Sequence, residues 1–341
     1  MNLAMQINYA GDILATVEEV CAYEAAGLDL VLVAEAYGFD AVSILGYLAA
    51  KTTRVALGPG ILPIYSRTPA LIAQTAAGLD YVSGGRAVLG LGASGPQVIE
   101  GWHGVAYDRP IARTRELIEI CRRVWRRERL QNSGLFEIPL AGGTGLGKPL
   151  KLITQPLRER IPIYLAAIGP ANVSLAAELT EGWLPIFYLP EQAAMVWGDA
   201  IAKGIAQRDP SLGDFDIIAG GLLAIGDEEE ALELARPQVA LYVGGMGART
   251  KNFYNDLFRR YGYGDLAEEI QELYLDGERD KAAARLPIDL LRRLNLVGDE
   301  GFVMERVRAY AASGVTMLMV NPAGQDPLGS FSRLRAMVDR L

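Results

Sequence analysis

The chain has 341 residues, of which 50% are hydrophobic, so it can bury one large core or two smaller ones. Its formal net charge of −8 argues against binding to nucleic acid or to an anionic membrane, because such partners require clustered lysine and arginine side chains. The N-terminus enters a strand pattern directly, without a basic start and a long apolar segment, so we expect a soluble cytoplasmic protein.

Short apolar runs alternate with amphipathic helical patterns in the first part of the chain. The runs "LAMQI", "LVLVA", "VALGPG" and "AVLGLG" predict four strands. A helix is predicted after each strand, over residues 12–26, 40–50, 69–81 and 107–129. This order of elements is typical of βα units.

The same alternation resumes after a stretch rich in glycine and proline. The runs "IPIYLAAIGP", "GWLPIFYL", "FDIIAGGLLAI" and "VTMLMVNP" predict four more strands, with helices over 171–180, 190–207 and 329–340. Residues 227–309 interrupt the pattern with helical segments such as "GDLAEEIQELYLDGERDKAAARL". Eight βα units favour a closed (β/α)8 TIM barrel, an α/β fold, over an open doubly wound sheet. We therefore predict one domain over 1–341, with a helical insertion at approximately 227–309 before the last strand.

Glycine and proline concentrate at the ends of three predicted strands, in "GPGILP", "GLGASGP" and "AAIGPAN". In a barrel the C-terminal ends of the strands form the active face. Glycine there lets a flat ligand approach the backbone, although tight βα turns alone would also explain it. The third segment is a candidate phosphate site, because Gly169 precedes a helix predicted to start near Ala171, whose free N–H groups favour an anion.

The stretches "RTPALIAQTAAGLDYVSGGRAVLGLG" and "IPIYLAAIGPANVSLAAELTEGWLP" resemble the bacterial-luciferase-like flavin and deazaflavin oxidoreductases. Within that family the chain is most similar to the branch that uses the deazaflavin coenzyme F420, which includes methylenetetrahydromethanopterin reductase. The resemblance covers nearly the whole chain. It implies a barrel that is often a homodimer and that holds coenzyme F420 at the C-terminal ends of its strands, with a small molecule as substrate.

The resemblance also implies which residues hold the coenzyme. The third strand of such proteins carries a bulge with a cis peptide bond behind the deazaflavin ring, here Gly60–Ile61. The loop after strand 4 lies beside the ring and the ribityl chain, and the turn after strand 5 holds the phosphate. The implied coenzyme-binding residues are Pro59, Gly60 and Ile61, then Gly92, Ala93, Ser94 and Gly95, then Ala167, Ile168, Gly169, Pro170, Ala171 and Asn172. Glu35, at the end of strand 2, is the candidate catalytic residue; alternatively it caps the following helix.

The chemistry implied is hydride transfer between C5 of the deazaflavin and a carbon of the substrate. The cofactor carries the redox reaction, and the protein supplies position and electrostatics. Because a deazaflavin has carbon in place of N5 and reacts poorly with oxygen, a reductase or dehydrogenase fits better than a monooxygenase. Two alternatives stay open: an FMN-dependent monooxygenase of the same family, and a barrel that binds a ligand without catalysis.

The chain departs from its relatives at two positions near the ring. Gln6 stands where the methanopterin reductases have a glutamate proposed for proton handling, and an amide cannot act as a general acid. We therefore do not assign methylenetetrahydromethanopterin as the substrate. Ala36 stands where many relatives have histidine. The single histidine, His103, either reaches the pocket or lies in a surface loop. Further candidate pocket hydroxyls belong to Tyr9, Tyr37 and Tyr65.

The segment "GGTGLGKP", residues 142–149, resembles a nucleotide-binding phosphate loop only in part. Pro149 replaces the serine or threonine that would hold magnesium, and no strand is predicted before the segment. We interpret it as a mobile lid or a substrate-side loop. No metal site is predicted, because Cys21 and Cys121 lie far apart without partners at metal-ligand spacing.

Overall fold

Strands and helices alternate along the computed structural model, which describes residues 1–7, 11–226 and 228–341. The strands are β1 (Asn2–Ile7), β2 (Leu30–Val33), β3 (Ala56–Pro59), β4 (Leu62–Pro63), β5 (Leu89–Gly92), β6 (Asn132–Ser133), β7 (Glu137–Ile138), β8 (Ile163–Ala166), β9 (Gly182–Leu184), β10 (Asp216–Ile225), β11 (Leu296–Gly298) and β12 (Met317–Pro322). The α-helices are α1 (Ile13–Ala25), α2 (Ala41–Lys51), α3 (Pro69–Val82), α4 (Pro96–Gly101), α5 (Pro110–Trp125), α6 (Pro170–Leu179), α7 (Pro190–Ile205), α8 (Glu228–Ala240), α9 (Phe253–Arg260), α10 (Gly264–Leu275), α11 (Arg279–Ala284), α12 (Ile288–Leu294), α13 (Glu300–Ala312) and α14 (Pro327–Val338).

The parallel strands form a barrel. Their order is β3-β2-β1-β12-β10-β9-β8-β5-β4, and β3 and β4 are two halves of one strand position, separated at Gly60–Ile61. A parallel bridge between Leu57 and Ala87 joins β3 to the chain just before β5, so the path returns to its start. The predicted (β/α)8 TIM barrel is therefore confirmed, and the open doubly wound sheet is excluded.

Alternation of side chains along the strands produces two separate apolar clusters. One cluster fills the inside of the barrel and contains Ala4, Leu30, Leu32, Val88, Tyr164, Ile218 and Met317. The residues between these positions, such as Leu3, Val31 and Leu318, pack against the surrounding helices. Because strand side chains alternate with a period of two, every second residue beyond the inner cluster also faces the axis of the barrel. This periodicity decides which residues face the mouth at the C-terminal ends.

Several elements differ from the sequence prediction. The helix predicted over 107–129 is α5, and it begins only at Pro110 because Arg109 before it has a left-handed φ of 44°. The helix α4 and the antiparallel hairpin of β6 and β7 were not predicted, since elements of two to six residues show little periodicity. The hairpin places a short strand before residues 142–149, but that strand is antiparallel to its partner. The next helix along the described chain begins only at Pro170, so no helix directly follows residues 142–149.

The segment between β10 and β12 is described from Glu228 onward and is mostly helical. It contains α8 to α13 and a π-helical turn at Leu241–Gly245. It also contains β11, which pairs in parallel with the end of β10 and was not predicted. Among the described helices, none combines the length and the apolar character that a membrane span requires.

Candidate functional site

The predicted strand-3 bulge lies at the C-terminal end of β3. The peptide bond between Gly60 and Ile61 is cis, which confirms that part of the prediction. The Gly60 N–H donates to the carbonyl of Val33 on β2, with the two atoms 2.7 Å apart. The Gly60 carbonyl accepts a hydrogen bond from Nε2 of Gln6 on β1, also at 2.7 Å. Backbone and side-chain bonds from two neighbouring strands therefore hold the bulge.

The structure brings the bulge, the strand-4 loop and the strand-5 turn to adjacent strands. Pro63 of β4 is paired in register with Gly92 of β5, and Gly92 is paired with Ala166 of β8. A Cβ atom on Gly92 would lie only 2.7 Å from Cδ1 of Ile61 and 3.4 Å from Cβ of Ala166. A side chain at Gly92 would therefore displace the Ile61 side chain. Few side chains protrude from the surface formed here, so a flat ligand can lie against it.

The loop after β5 is fixed by two tyrosines that sequence reasoning did not connect with it. Ser94 has a left-handed φ of 57°, and its carbonyl accepts a 3.4 Å hydrogen bond from the hydroxyl of Tyr107. The Tyr107 ring lies 5.2 Å from that of Tyr65, whose hydroxyl donates to the Asp108 carbonyl at 2.7 Å. Burial raises the pKa of Tyr65 to about 12 and also raises the pKa of Tyr107. Both phenols are therefore protonated donors near neutral pH.

Glu35 lies just beyond β2, and its carboxylate is fully engaged. It pairs with the Arg67 guanidinium through two bonds of 2.5 and 2.9 Å, and it accepts a 2.9 Å bond from the N–H of Ala41, the first residue of α2. The side chains of Arg67 and Glu35 are only 16% and 7% exposed. The hydrogen bonds that Arg67 donates to the Glu35 carboxylate raise the pKa of Arg67. These contacts fit the capping alternative, and catalysis by Glu35 stays a prediction.

The predicted phosphate turn forms the N-terminus of α6. Gly169 occupies the N-cap position with no side-chain cap bond, Pro170 follows it, and the N–H groups of Ala171 and Asn172 begin the helix. The carbonyl of Ile168 accepts hydrogen bonds from Nε1 of Trp197 at 3.1 Å and from Nη2 of Arg260 at 3.0 Å. The remaining residue of this segment, Ala167, is buried.

Arg260 brings a positive charge from α9 to this turn. Burial lowers the pKa of its guanidinium, and Nη1 has no hydrogen-bond partner in the described part of the chain. No described carboxylate lies within ion-pair distance of Arg260. An anion near Gly169 would thus meet both the helix N-terminus and an unpaired cation. No local sequence pattern predicts this contact, because Arg260 and Ile168 are 92 residues apart in the chain.

The other predicted site residues have varied positions. Tyr9 lies outside the described residues, and Tyr37 is 62% exposed beside Trp102. His103 follows α4, and its Nε2 is buried with no partner among the described residues. Lys148 is exposed in an irregular segment with no helix after it, so the arrangement of a phosphate loop is missing there.

The chain is similar in sequence and in fold to luciferase-like proteins and reductases. The family model described as luciferase-like monooxygenase matches residues 2–317. A Mycobacterium tuberculosis protein provisionally named a coenzyme F420-dependent oxidoreductase is 43% identical, over 98% of this chain and 99% of the relative. The 5,10-methylenetetrahydromethanopterin reductase of Archaeoglobus fulgidus is 30% identical, over 89% and 88%. The solved structure of the coenzyme F420-dependent tetrahydromethanopterin reductase from Methanopyrus kandleri has the same fold, with a TM-score of 0.76, 22% identity and coverage of 98% and 96%.

Proposed function

The chain belongs to the luciferase-like family, and on that premise we propose that it is a coenzyme F420-dependent oxidoreductase. It would transfer a hydride between C5 of the deazaflavin and a small organic substrate. The observation that carries the proposal is the contiguous surface of Gly60, Ile61, Gly92 and Ala166 on adjacent strands, with an anion-binding helix N-terminus beside it. The 43% identity to a relative with this name supports the choice of coenzyme.

The residues present fit a flat coenzyme with an anionic tail. When bound, the deazaflavin supplies a carbon centre that gives or takes a hydride. The Gly60–Ile61 bulge would support one face of the ring, and Gly92 leaves room for the Ile61 side chain to pack closely against β5. The N–H groups of Ala171 and Asn172 would hold the phosphate. This local arrangement is needed because a net charge of −8 opposes the approach of a polyanion.

The described side chains near the bulge position groups rather than carry protons. The Gln6 amide holds the Gly60 carbonyl, and the Tyr107 hydroxyl holds the Ser94 carbonyl. Arg67 and the Ala41 N–H occupy the Glu35 carboxylate, so we propose that Glu35 orders the start of α2 and keeps Arg67 at the end of strand 3. Any proton that the substrate needs would then come from the substrate pocket or from water.

A second candidate function is an FMN-dependent monooxygenase, which the description of the family model favours. The two coenzymes differ at the reactive atom: carbon in the deazaflavin and N5 in the flavin. Only the reduced flavin reacts readily with oxygen. A barrel that binds a ligand without catalysis would bind one of the two coenzymes and turn over neither.

The deciding experiment is a titration of the purified protein with coenzyme F420 and with FMN, in oxidised and reduced forms. We expect tight binding of F420, and substrate-dependent oxidation or reduction of it that is the same with and without oxygen. Preferential binding of FMN together with oxygen consumption would favour the monooxygenase. Binding without turnover across a panel of aldehydes, alcohols, imines and enones would favour the ligand-binding barrel.

We also propose that the whole chain, including the insertion at 227–309, acts as a single domain in a cytoplasmic homodimer. Support for the dimer comes from α3, which exposes Leu71, Tyr81 and Val82, at 47%, 66% and 61%, on the outside of the barrel. Tyr81 and Val82 are adjacent at the end of α3, and exposed apolar patches are typical of contact surfaces. Light scattering coupled to size-exclusion chromatography would give about twice the chain mass of 36.9 kDa for the dimer.

A further inference from the structure

The C-terminal layer inside the barrel contains two amides on neighbouring strands. Ala4 of β1 is paired in register with Met319 of β12; Ala4 belongs to the cluster that fills the barrel, and Met319 packs against it. Two residues further along each strand are Gln6 and Asn321, which face the same interior because strand side chains alternate. On its other side, Asn321 is in register with Leu222 of β10.

The two amides differ in how they are satisfied. The Gln6 Nε2 donates to the Gly60 carbonyl at 2.7 Å. The Asn321 Oδ1 is buried and has no hydrogen-bond partner among the described residues. Asn321 as a whole is only half-buried, so rotation about its last torsion can turn either end of the amide toward a ligand. A buried acceptor without a partner destabilises a protein, so its presence at the mouth indicates a partner that arrives with the ligand.

The chemistry of the amide defines that partner. A carboxamide offers a donor and an acceptor side by side, and its complement is an edge in which a carbonyl stands next to an N–H. An imide has this edge, and the pyrimidine-dione ring of deazaflavins and flavins is an imide. A ring resting on the Gly60 bulge would lie beside Gln6, which reaches from β1 to the bulge carbonyl. Asn321 lies on the next strand in the same direction.

We propose that Asn321 recognises the imide edge of the coenzyme ring and thereby sets its orientation over the bulge. The inference rests on the proposed function only in requiring a deazaflavin or a flavin, since both carry the same imide. It assigns ring recognition to β12. This role is separate from that of the turn at Gly169, which would bind the phosphate tail.

The test compares two probes on two matched variants. Coenzyme F420 and the ribityl deazaflavin, which has the ring and the ribityl chain but no phosphate, are titrated into the wild type, Asn321→Leu and Asn2→Leu. Asn2 is a matched control, because it is an exposed asparagine at the opposite end of β1. We expect Asn321→Leu to weaken both probes by about tenfold or more and by the same factor, with Asn2→Leu unchanged.

A second measurement separates recognition from folding. Leucine has the same branching and the same number of side-chain heavy atoms as asparagine and removes the unsatisfied acceptor, so we expect Asn321→Leu to raise the melting temperature of the unliganded protein while it lowers affinity. Asn321→Asp gives a further readout. Its protonated carboxyl retains a donor and an acceptor, whereas its carboxylate repels the imide carbonyls, so affinity should fall as pH rises through the pKa of the introduced acid.

Three results would overturn the inference: unchanged affinity of Asn321→Leu for both probes, weaker binding of F420 without weaker binding of the ribityl deazaflavin, or a fall in melting temperature large enough to account for the loss of affinity. The first of these leaves the proposed function intact, because the wild type would still bind the coenzyme. Failure of the wild type itself to bind F420 or FMN would instead refute the proposed function.

Discussion

The phosphate assignment can be tested by Gly169→Asp, for which affinity and stability should change in opposite directions. Gly169 is the N-cap of α6, with a φ of −73° and a ψ of 145° that any residue adopts. A Cβ atom there would meet nothing within 4 Å. Aspartate therefore fits without a clash, and it supplies the cap hydrogen bond that the helix lacks. We expect the unliganded variant to be more stable by about 0.3–1 kcal/mol, through the cap and the helix dipole.

Binding of the coenzyme should weaken in the same variant. A carboxylate about 4 Å from the phosphate costs roughly 1 kcal/mol in water and about 4 kcal/mol at the effective dielectric constant of a partly buried site. The dissociation constant for F420 should accordingly rise by about 5-fold to 1,000-fold. The ribityl deazaflavin, which lacks the phosphate, should bind the variant with the same affinity as the wild type.

The assay is equilibrium titration at fixed salt, with Gly169→Ser as the matched control. Serine also caps the helix but adds no charge, so it should raise the melting temperature and leave the affinity within about threefold. Lys148→Ala should have little effect, because Lys148 lies in an exposed irregular segment. If Lys148→Ala damages binding and Gly169→Asp does not, both the phosphate assignment and our interpretation of residues 142–149 are wrong.

Three further substitutions test the bulge and the end of β2. Gly60→Val would place Cβ 2.8 Å from Cβ of Leu32, so coenzyme binding should be lost while circular dichroism still shows a folded protein; unchanged affinity would contradict the bulge assignment. Glu35→Gln should lower the free energy of unfolding in urea by about 3–5 kcal/mol, because Arg67 loses a buried partner; a loss of turnover at unchanged stability would favour catalysis by Glu35 instead. In Gln6→Glu only the protonated acid can donate to the Gly60 carbonyl, which raises the pKa of the introduced glutamate in the folded protein above about 4.3. The stability of this variant should therefore match that of the wild type below that pH and fall as pH rises through the pKa in the folded protein. A pH-independent loss of stability in that variant would exclude this donor role.

The barrel was predictable because its strands are short apolar runs with helices between them. Burial on both faces of a parallel strand demands such runs, and each predicted strand matches an observed one. The strand β11 was missed because its three residues lie among helical patterns, and its pairing with β10 depends on tertiary packing. The positions of the three glycine-rich strand ends were predictable too, since βα connectivity places them all at one face of the barrel.

The side chains that hold these strand ends were not predictable. Gln6 and Gly60 are 54 residues apart, and Arg260 and Ile168 are 92 apart. Such contacts depend on which strands are neighbours and on their register, and no local pattern encodes either. Glu35 shows the same limit: an acid at a strand end suggests chemistry, yet its pairing with Arg67 becomes visible only in the folded chain.

The hydrogen bond from Gln6 gives a physical reason for an amide on β1, in place of the glutamate that the resemblance to the methanopterin reductases implies at this position. Between these two side chains, only the amide donates to a carbonyl at every pH, because a carboxyl group does so only while it is protonated. In this barrel the residue on β1 is committed to the Gly60 carbonyl, so it cannot also deliver a proton to a substrate. We therefore expect the groups that select the substrate and supply its proton to lie on other elements. One candidate is the segment between β10 and β12, which brings Arg260 to the predicted phosphate turn from outside the βα pattern.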